Sequence, residues 1–562
     1  MANIMSKRGT QDNVITYEHY CDTKADLANI PKDQITLGST AVVLQDEDGS
    51  LGVYIAGSDK QWIAVAMSGG SGSGSDSGQS NDNLKKIVEK TIINIQDDTI
   101  NSVVNGLSNI STLTAVEMTE VNEIKKGAFI SCTGLEMASF PKCSIIEDGD
   151  IFFEYEMYPG YYSRMYQPHD GVFMGCSKLS YVELGNISAI GSLAFSNCQN
   201  LNTIKVLSLE KVNFGAFYNC INLSEINLEE CTTVEDLAFQ NCSSLTELIL
   251  PECLEVGSSA YDGITHETSP TSAGGQAGYD FGMAFNGCEN VSKAIFPKCE
   301  IIHDARTMTS TGGQWGSSSY FRNGMFANNS QLTEISFPKC EYVGAGAFNS
   351  CTALTNVALP ACKTLRHTAF AGCTNLTSIS LPVCNIIDGL TSNLSNTLYA
   401  NQAEYAGTFG GCTALSTISL PQCTEIGTGA FAGCTSLTEV YIPECIGVGC
   451  LAFASCLALE EIHLPKLSTF FTSVFEGCTN LQNIYLDTCS MVSTYAVTEL
   501  INAGCNIFML SNTIVQTLDS GSFPNYLIYS GSVFVPESLV ETYKTDSYWT
   551  GISSYIAPYT GE

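Results

Sequence analysis

A histidine beside an acidic residue is the pairing that general acid–base catalysis uses, and the chain contains two such pairs, His169-Asp170 and His303-Asp304. Catalysis also needs a nucleophile, a metal ligand set or a phosphate loop, and the residues around both pairs match no such motif. The glycine-rich stretch 68–80 lacks the Lys-Ser/Thr of a phosphate loop. The chain is therefore predicted not to be an enzyme, with no catalytic residue and no cofactor.

Cysteine is the other residue type that carries chemistry, and 25 cysteines recur at 11-residue intervals over long runs. This spacing differs from the Cys-x-x-Cys knuckle of a zinc site, which makes zinc the weaker interpretation. The count is odd, the chain is long and the N-terminus has no apolar run behind its basic residues, so a secreted disulfide framework is disfavoured. Asp46, Asp48 and Ser50 begin a calcium-loop series that stops there, which favours an ordinary turn. We predict buried thiols packed in ladders and no metal site.

The segments that contain these cysteines repeat along the chain. A phenylalanine followed three residues later by a cysteine recurs at a 22-residue step, as at Phe195-Cys198, Phe217-Cys220 and Phe239-Cys242. About thirteen units share this step, which predicts a solenoid in which each coil buries its apolar face against its neighbours. Within a coil, the segment 373–382 has inward positions at Leu376, Ile379 and Leu381, followed by Pro382. The fold class is therefore mainly β.

The phrase Leu-Pro-x-Cys-x-x-Ile-Gly-x-x-Ala-Phe-x-x-Cys resembles the BspA-like leucine-rich repeat family over roughly residues 120–490. Val533-Phe-Val-Pro536 and Trp549 are similar to the segment that closes many such arrays. The resemblance implies a leucine-rich-repeat solenoid with a C-terminal cap, and a role in adhesion and surface recognition. The predicted domains are a β-rich module (1–66), a Gly/Ser linker (67–80), the solenoid (81–505) and the cap (506–562).

The charge balance limits the partners. The formal net charge is −33, with 57 acidic residues against 24 basic ones. Such a surface repels phosphate backbones and anionic lipids, so neither nucleic acid nor membrane insertion is expected. No stretch approaches eighteen consecutive apolar residues.

Residues 1–66 read as strands with a hairpin turn at Asp46-Glu-Asp-Gly49, between Ala41–Leu44 and Leu51–Ile55. Their phrases Ser6-Lys-Arg-Gly, Ile35-Thr-Leu-Gly-Ser and Lys60-Gln-Trp62 are similar to N-terminal modules of virion-attached bacteriophage proteins, such as fibre or decoration proteins. This resemblance implies that residues 1–66 bind virion structural proteins after assembly in the host cytoplasm. It also implies a head module that assembles as a homo-oligomer.

Four coils carry inserts, because their Phe-to-Phe steps lengthen to 44, 46, 41 and 39 residues. Each insert falls before the core phenylalanine, and a solenoid maps equivalent positions onto one edge, where binding loops are usually found. The inserts are rich in the aromatic and arginine residues that binding surfaces use, although these residues would alternatively pack their own loops. The candidate ligand-binding residues are Tyr155, Tyr158, Tyr161, Tyr162, Arg164, Tyr166, Tyr261, Tyr279, Trp315, Tyr320, Phe321, Arg322, Tyr399 and Tyr405.

These observations predict a non-enzymatic recognition protein on a phage particle that binds a host surface protein or glycan through its inserts. Two alternatives stay open, namely a bacterial cell-surface adhesin with the same array and a structural virion decoration protein.

Overall fold

The computed structural model describes residues 107–158, 161–257, 283–304, 324–387, 407–518, 523 and 529–561, with side chains except over 151–168. Beyond these ranges it describes the backbone of short strands at 3–4, 18–23, 40–45, 52–56, 62–67, 91–95, 102–103, 280–281 and 306–307. Internal contacts divide the chain into unit 1, Met1–Leu228, and unit 2, Glu229–Glu562.

The repeating coil has two short strands, as the 22-residue step predicts. In Ser378–Ser380 the middle residue Ile379 points inward between two exposed serines, and in Ile386–Ile387 the second residue is buried. Within each sheet the coil strands pair in parallel with their equivalents in the neighbouring coils, so that Val357 lies opposite Ile379. The molecule is therefore a mainly β, parallel solenoid, which confirms the predicted fold class.

Unit 1 contains a five-stranded sheet, two parallel sheets of coil strands, a pair of short strands and a hairpin. The five-stranded sheet is β1 (Asn3–Ile4), β2 (Glu18–Thr23), β3 (Thr40–Gln45), β4 (Gly52–Ala56) and β5 (Trp62–Met67). The longer coil strands are β6 (Thr91–Ile95), β8 (Leu113–Met118), β10 (Met137–Phe140), β14 (Tyr181–Leu184), β16 (Thr203–Lys205) and β18 (Glu225–Ile226). The shorter ones are β7 (Ser102–Val103), β9 (Glu123–Ile124) and β11 (Ile145–Ile146), followed by the pair β15 (Ala189–Ile190) and β17 (Lys211–Val212). The hairpin is β12 (Asp150–Tyr158) with β13 (Tyr161–His169).

Unit 2 continues the same two-strand coil. We call its run of two-residue strands the short-strand sheet: β19 (Thr233–Val234), β21 (Glu255–Val256), β24 (Ile301–Ile302), β27 (Tyr342–Val343), β29 (Thr364–Leu365), β31 (Ile386–Ile387), β33 (Glu425–Ile426) and β35 (Gly447–Val448). Three more short strands follow: β37 (Thr469–Phe470), β39 (Met491–Val492) and β41 (Gln516–Thr517). A further pair is β22 (Asp280–Phe281) with β25 (Arg306–Thr307).

The longer strands of unit 2 form parallel sheets on another side of the coil. They are β20 (Glu247–Ile249), β23 (Lys293–Ile295), β26 (Glu334–Ser336), β28 (Asn356–Ala358), β30 (Ser378–Ser380), β32 (Thr417–Ser419), β34 (Glu439–Tyr441), β36 (Glu461–His463), β38 (Asn483–Leu486), β40 (Asn506–Met509), β42 (Val533–Pro536) and β43 (Ile556–Tyr559). The helices are α1 (Thr494–Asn502) and α2 (Val540–Thr545), with 3-10 turns at Glu537–Leu539 and Thr550–Tyr555. Among the described residues, no helix has the length and apolar character needed to cross a bilayer.

The repeated phenylalanines form stacked columns inside each unit. Phe348 is fully buried, and its ring stacks on Phe326 at 5.1 Å between centroids and on Phe370 at 5.2 Å. Its amide donates to the carbonyl of Ala369 in the next coil at 2.7 Å. The prediction that these side chains point into the core is confirmed.

The cysteines form two buried columns of free thiols. In the first, Sγ donates to the carbonyl of the core phenylalanine one coil back, as from Cys373 to Phe348 at 3.2 Å. In the second, Sγ donates to the carbonyl two residues ahead, as from Cys362 to Thr364 at 3.4 Å. Burial raises the pKa of Cys373 to about 12, so the thiol stays protonated. The described cysteines are all free, and all of them except the partly exposed Cys450 are buried, as predicted.

Asn329 stands where the first column has cysteine in the neighbouring coils. Its Nδ2 donates to the Phe285 carbonyl at 3.1 Å, the bond that cysteine makes elsewhere. Its Oδ1 is buried without a hydrogen-bond partner. A buried acceptor without a donor costs about 1–3 kcal/mol.

Replacing Asn329 by cysteine is therefore expected to raise the free energy of unfolding by about 1–2 kcal/mol, because the thiol keeps a donor for the Phe285 carbonyl and removes the buried acceptor. Urea unfolding followed by circular dichroism measures the change. The exposed Asn356→Cys is the control and is expected to be nearly neutral. A lower transition midpoint for Asn329→Cys would contradict the explanation.

The C-terminal segment of unit 2 packs against the residues that precede it. Trp549 is buried and its Nε1 donates to the Val515 carbonyl at 3.1 Å. The Val515 amide in turn donates to the Tyr543 hydroxyl at 2.8 Å. These bonds connect Tyr543 of helix α2 and Trp549 to Val515, next to strand β41.

The N-terminal module has the predicted hairpin, because β3 and β4 pair antiparallel with Val42 opposite Val53. The glycine-rich stretch 68–80 lies outside the described residues. The four-part division of the chain stays a prediction.

Candidate functional site

The first insert is a β-hairpin, where the sequence indicated only a long loop. Strands β12 and β13 pair antiparallel, with Glu156 opposite Tyr162 and Phe152 opposite Tyr166. The backbone of the six candidate residues in this insert lies in the hairpin, and their side chains lie outside the described part: Tyr155, Tyr158, Tyr161, Tyr162, Arg164 and Tyr166. The candidates of the other inserts lie outside the described residues altogether: Tyr261, Tyr279, Trp315, Tyr320, Phe321, Arg322, Tyr399 and Tyr405.

The second, third and fourth inserts leave unit 2 at one kind of position. They follow β21, β24 and β31, which are all members of the short-strand sheet, and β21 is the direct neighbour of β24. The second and third inserts also pair with each other, because Phe281 of β22 lies opposite Arg306 of β25. The three inserts therefore leave from the carboxyl ends of strands of one sheet. We refer to this side of the sheet as its edge.

A carboxylate fixes the departure of the third insert. Asp304 Oδ1 accepts the Ala345 amide at 2.8 Å, and its Oδ2 accepts the Tyr342 hydroxyl at 2.8 Å. Arg366 Nε lies 3.6 Å from Oδ1. The insert therefore begins from a residue that is bonded to the following coil.

Asp148 plays the same part at the first insert. Its Oδ1 accepts the Ser192 amide at 2.6 Å, the Ser192 hydroxyl at 2.8 Å and Asn213 Nδ2 at 2.9 Å. Burial alone would raise the pKa of Asp148, but these hydrogen bonds outweigh it and hold the pKa below its ordinary value. Sequence reasoning missed Asp148 and considered Asp304 only as the acid beside His303, although each aspartate lies two residues after the inward isoleucine that precedes an insert.

The hairpin base holds a further charged cluster. Asp150, His169 and Asp170 place ligand-type atoms within 4.8 Å of one another. However, Lys126 Nζ lies 2.7 Å from Asp150 Oδ2, and His169 Nδ1 lies 3.1 Å from Asp170 Oδ2. Because an ammonium group already neutralises Asp150, the cluster fits an ion-pair network that secures the hairpin base better than it fits a cation site.

The inserts return to the coil through glycines that touch the next coil. A Cβ built on Gly407 would lie 1.6 Å from the Gly429 carbonyl oxygen, and one on Gly324 would lie 2.2 Å from the Gly346 carbonyl carbon. Gly171 meets the Leu193 backbone in the same way in unit 1. Each of these glycines stands two residues before a core phenylalanine, so the return of the insert is tightly packed at that point.

His367 lies buried in the coil between the third and fourth inserts, only 5% exposed. The carbonyl of the neighbouring Arg366 accepts a hydrogen bond from the Thr408 hydroxyl at 3.3 Å. This bond links the coil of His367 to the point where the fourth insert returns. Burial, and then the charge of Arg366, lower the pKa of His367 to about 4, while Asp304 opposes the shift. The neutral imidazole is therefore the form that the fold accommodates.

Stability is accordingly expected to depend on His367 below neutral pH. In the unfolded chain this histidine, with a pKa near 6.5, binds a proton that the folded state excludes. The free energy of unfolding therefore falls as pH drops from about 6.5 towards about 4. Between pH 7 and pH 5 the loss is about 2 kcal/mol. Urea unfolding at both pH values, compared with His367→Gln, isolates the effect, and an unchanged pH dependence in this variant would contradict it.

Comparisons with known proteins agree with this architecture. The BspA type leucine rich repeat region matches in six copies, over residues 169–270, 317–397 and 405–526. No curated protein matches the chain.

Solved structures that match this chain include leucine-rich repeat proteins from three bacteria. One from Bacteroides ovatus is 22% identical, with a TM-score of 0.47, covering 78% of this chain and 88% of that one. A leucine rich cell surface protein from Faecalibacterium prausnitzii is 18% identical, with a TM-score of 0.25, covering 70% and 93%. One from Eubacterium ventriosum is 16% identical, with a TM-score of 0.29, covering 78% and 95%. The family match extends over more than half of the sequence, and the chain belongs to the BspA-type leucine-rich repeat family.

Proposed function

We propose that this protein is a non-enzymatic recognition protein of the cell-surface adhesin type, whose inserts contact a surface protein or glycan. The observation that carries the proposal is the departure of three inserts from one edge of the short-strand sheet in unit 2. Loops held at one edge of a rigid scaffold form a continuous contact area at low entropic cost. The association of the BspA-type family with adhesion supports the same function.

The fixed ends of the third and fourth inserts support the proposal further. Asp304 and Gly407 tie the third and fourth inserts to backbone groups of the following coils. A loop whose ends are fixed loses less freedom when it binds, so more of the contact energy appears as affinity. The composition of the inserts, rich in tyrosine, serine and glycine, suits such a contact surface.

The test uses the fluorescently labelled full chain and a panel of bacterial and epithelial cells, with binding measured by flow cytometry. One variant replaces Tyr155, Tyr162 and Tyr166 of the first insert by serine, and a second replaces Trp315 and Tyr320 of the third. At least one variant is expected to lower the apparent affinity about tenfold or more, because aromatic residues dominate contact energies. The control is Tyr495→Ser, on helix α1 and 71% exposed. Unchanged cell binding by both insert variants would overturn the proposal.

A virion-attached form of the same protein is the second candidate. It is favoured by the buried, unbridged thiols, which suit folding in a reducing cytoplasm followed by release through lysis. In that case residues 1–66 bind virion structural proteins and associate with copies of themselves. Immunogold labelling with antibodies against residues 81–562 separates the candidates, because label on purified particles supports the virion and label confined to bacterial envelopes supports the adhesin.

A further inference from the structure

A row of aromatic side chains marks the last coils of unit 2. The third residue of the longer strands faces outward, and in the middle coils it is small, as at Ser336, Ala358, Ser380 and Ser419. From β34 to β42 the same register position is aromatic, and in the last strand, β43, it is Ala557. We call this row the aromatic ladder: Tyr441, His463, Tyr485, Phe508 and Phe534.

Most of the ladder rings stack on one another. The centroid distances are 4.0 Å from His463 to Tyr485, 4.5 Å from Tyr485 to Phe508 and 4.7 Å from Phe508 to Phe534, with interplanar angles below 20°. Tyr441 at the start of the row is 59% exposed. Because neighbouring rings cover each other's faces, the ladder presents mainly ring edges to solvent, which makes an apolar ridge.

Carboxylates without a cationic partner border this ridge. Glu439 and Glu461 are exposed two residues before Tyr441 and His463, and Glu460 is exposed next to Glu461. Within the described residues, no lysine, arginine or histidine lies within ion-pair distance of these three carboxylates. Some carboxylates elsewhere in unit 2 do have a cationic partner, as in Lys363–Glu341 at 2.7 Å and Lys466–Glu444 at 2.5 Å.

The carboxylates and the rings form one electrostatic surface. Burial raises the pKa of Tyr485, and the negative charge of Glu461 raises it further. The phenol and that carboxylate therefore interact electrostatically. The formal net charge of −33 adds a long-range attraction for cations. A ligand for this face therefore needs both positive charge and apolar surface.

We propose that the aromatic ladder binds an extended basic segment of a partner protein, with apolar side chains on the ring edges and arginine or lysine on Glu439, Glu460 and Glu461. Five strands about 4.8 Å apart span about 19 Å, the length of about six extended residues. A glycan fits less well, because sugar rings stack on aromatic faces and most faces here are covered. This site lies on a different sheet from the insert departures, so it is distinct from the proposed adhesive surface.

The experiment measures fluorescence anisotropy of a labelled nine-residue peptide of alternating arginine and leucine, added to the full chain at low salt. The double variant Glu439→Gln/Glu461→Gln is expected to weaken binding about tenfold, and Tyr441→Ser about threefold or more. The control Glu300→Gln/Glu425→Gln removes the same charge from exposed positions at the short-strand sheet and is expected to change affinity less than about twofold. Hydrogen exchange of the complex is expected to show protection at residues 439–441 and 461–463.

Several outcomes overturn the proposal. Equal weakening in the control variant would assign the binding to net charge alone, and protection confined to other coils would place the peptide elsewhere. Absence of saturable peptide binding would remove the site. Binding of cellohexaose or chitohexaose, abolished by Tyr441→Ser in the absence of peptide binding, would make the ladder a glycan site. These outcomes do not depend on the cell-binding result of the insert variants, because the ladder and the insert departures lie on different sheets.

Discussion

Replacing Phe348 by alanine is expected to lower the free energy of unfolding by about 3–5 kcal/mol, the usual cost of emptying a phenylalanine site in a core. Phe348 is fully buried and stacks on Phe326 and Phe370, while Phe337 meets it edge-on at 5.8 Å. Each lost aromatic pair contributes about 0.5–1.5 kcal/mol beyond area burial. Relaxation is limited, because backbone bonds to the adjacent coils hold the cavity open.

The measurement is urea unfolding followed by circular dichroism, with hydrogen exchange to locate the damage. In a repeat array the loss is expected to concentrate in the coils that flank the substitution. Tyr495→Ala is the control, since this side chain is largely exposed and its loss is expected to change stability by less than about 0.5 kcal/mol. A loss for Phe348→Ala no larger than that of the control would refute the role of the stacked column.

Replacing Gly407 by alanine is expected to cost about 3 kcal/mol or more, although it adds a single methyl group. The new Cβ would lie 1.6 Å from the Gly429 carbonyl oxygen and 2.1 Å from the Gly429 carbonyl carbon. These are backbone atoms, so relief requires two coils to separate rather than one side chain to rotate.

Gly447→Ala is the matched control, because a Cβ at that position would meet nothing within 4 Å. It is expected to be neutral within about 0.5 kcal/mol. The two variants are compared by thermal unfolding and by protease sensitivity near residue 407. Equal stability would show that the close approach at Gly407 is relieved without cost.

The periodic part of the fold could be predicted from the sequence, because its signal recurs. Phe195, Phe217 and Phe239 are spaced one repeat apart. In a solenoid, residues one repeat apart stack in register. The thiol columns follow from the same step. The inward positions of the strands were likewise visible, since Ile379 alternates with serines.

The local features could not be predicted in this way, since each depends on contacts between different coils. The hairpin is an exception, because the sequence does contain a turn signal at Pro159-Gly160, between Tyr158 and Tyr161, although the insert was interpreted only as a long loop. The roles of Asp148 and Asp304 depend on which amide of the next coil they meet, and pairing of Phe281 with Arg306 joins two separate inserts. The aromatic ladder did leave a signal, because Tyr441, His463 and Tyr485 stand 22 residues apart.

The buried cysteine columns turn the solenoid into a set of chemical probes of its own opening. Burial raises the pKa of Cys373 and Cys434 to about 12, so alkylating reagents reach these thiols only when their coils separate. Cys450 is partly exposed and is expected to react first. Mass spectrometry after a timed maleimide pulse would then rank the coils by how often each opens, without any engineered label.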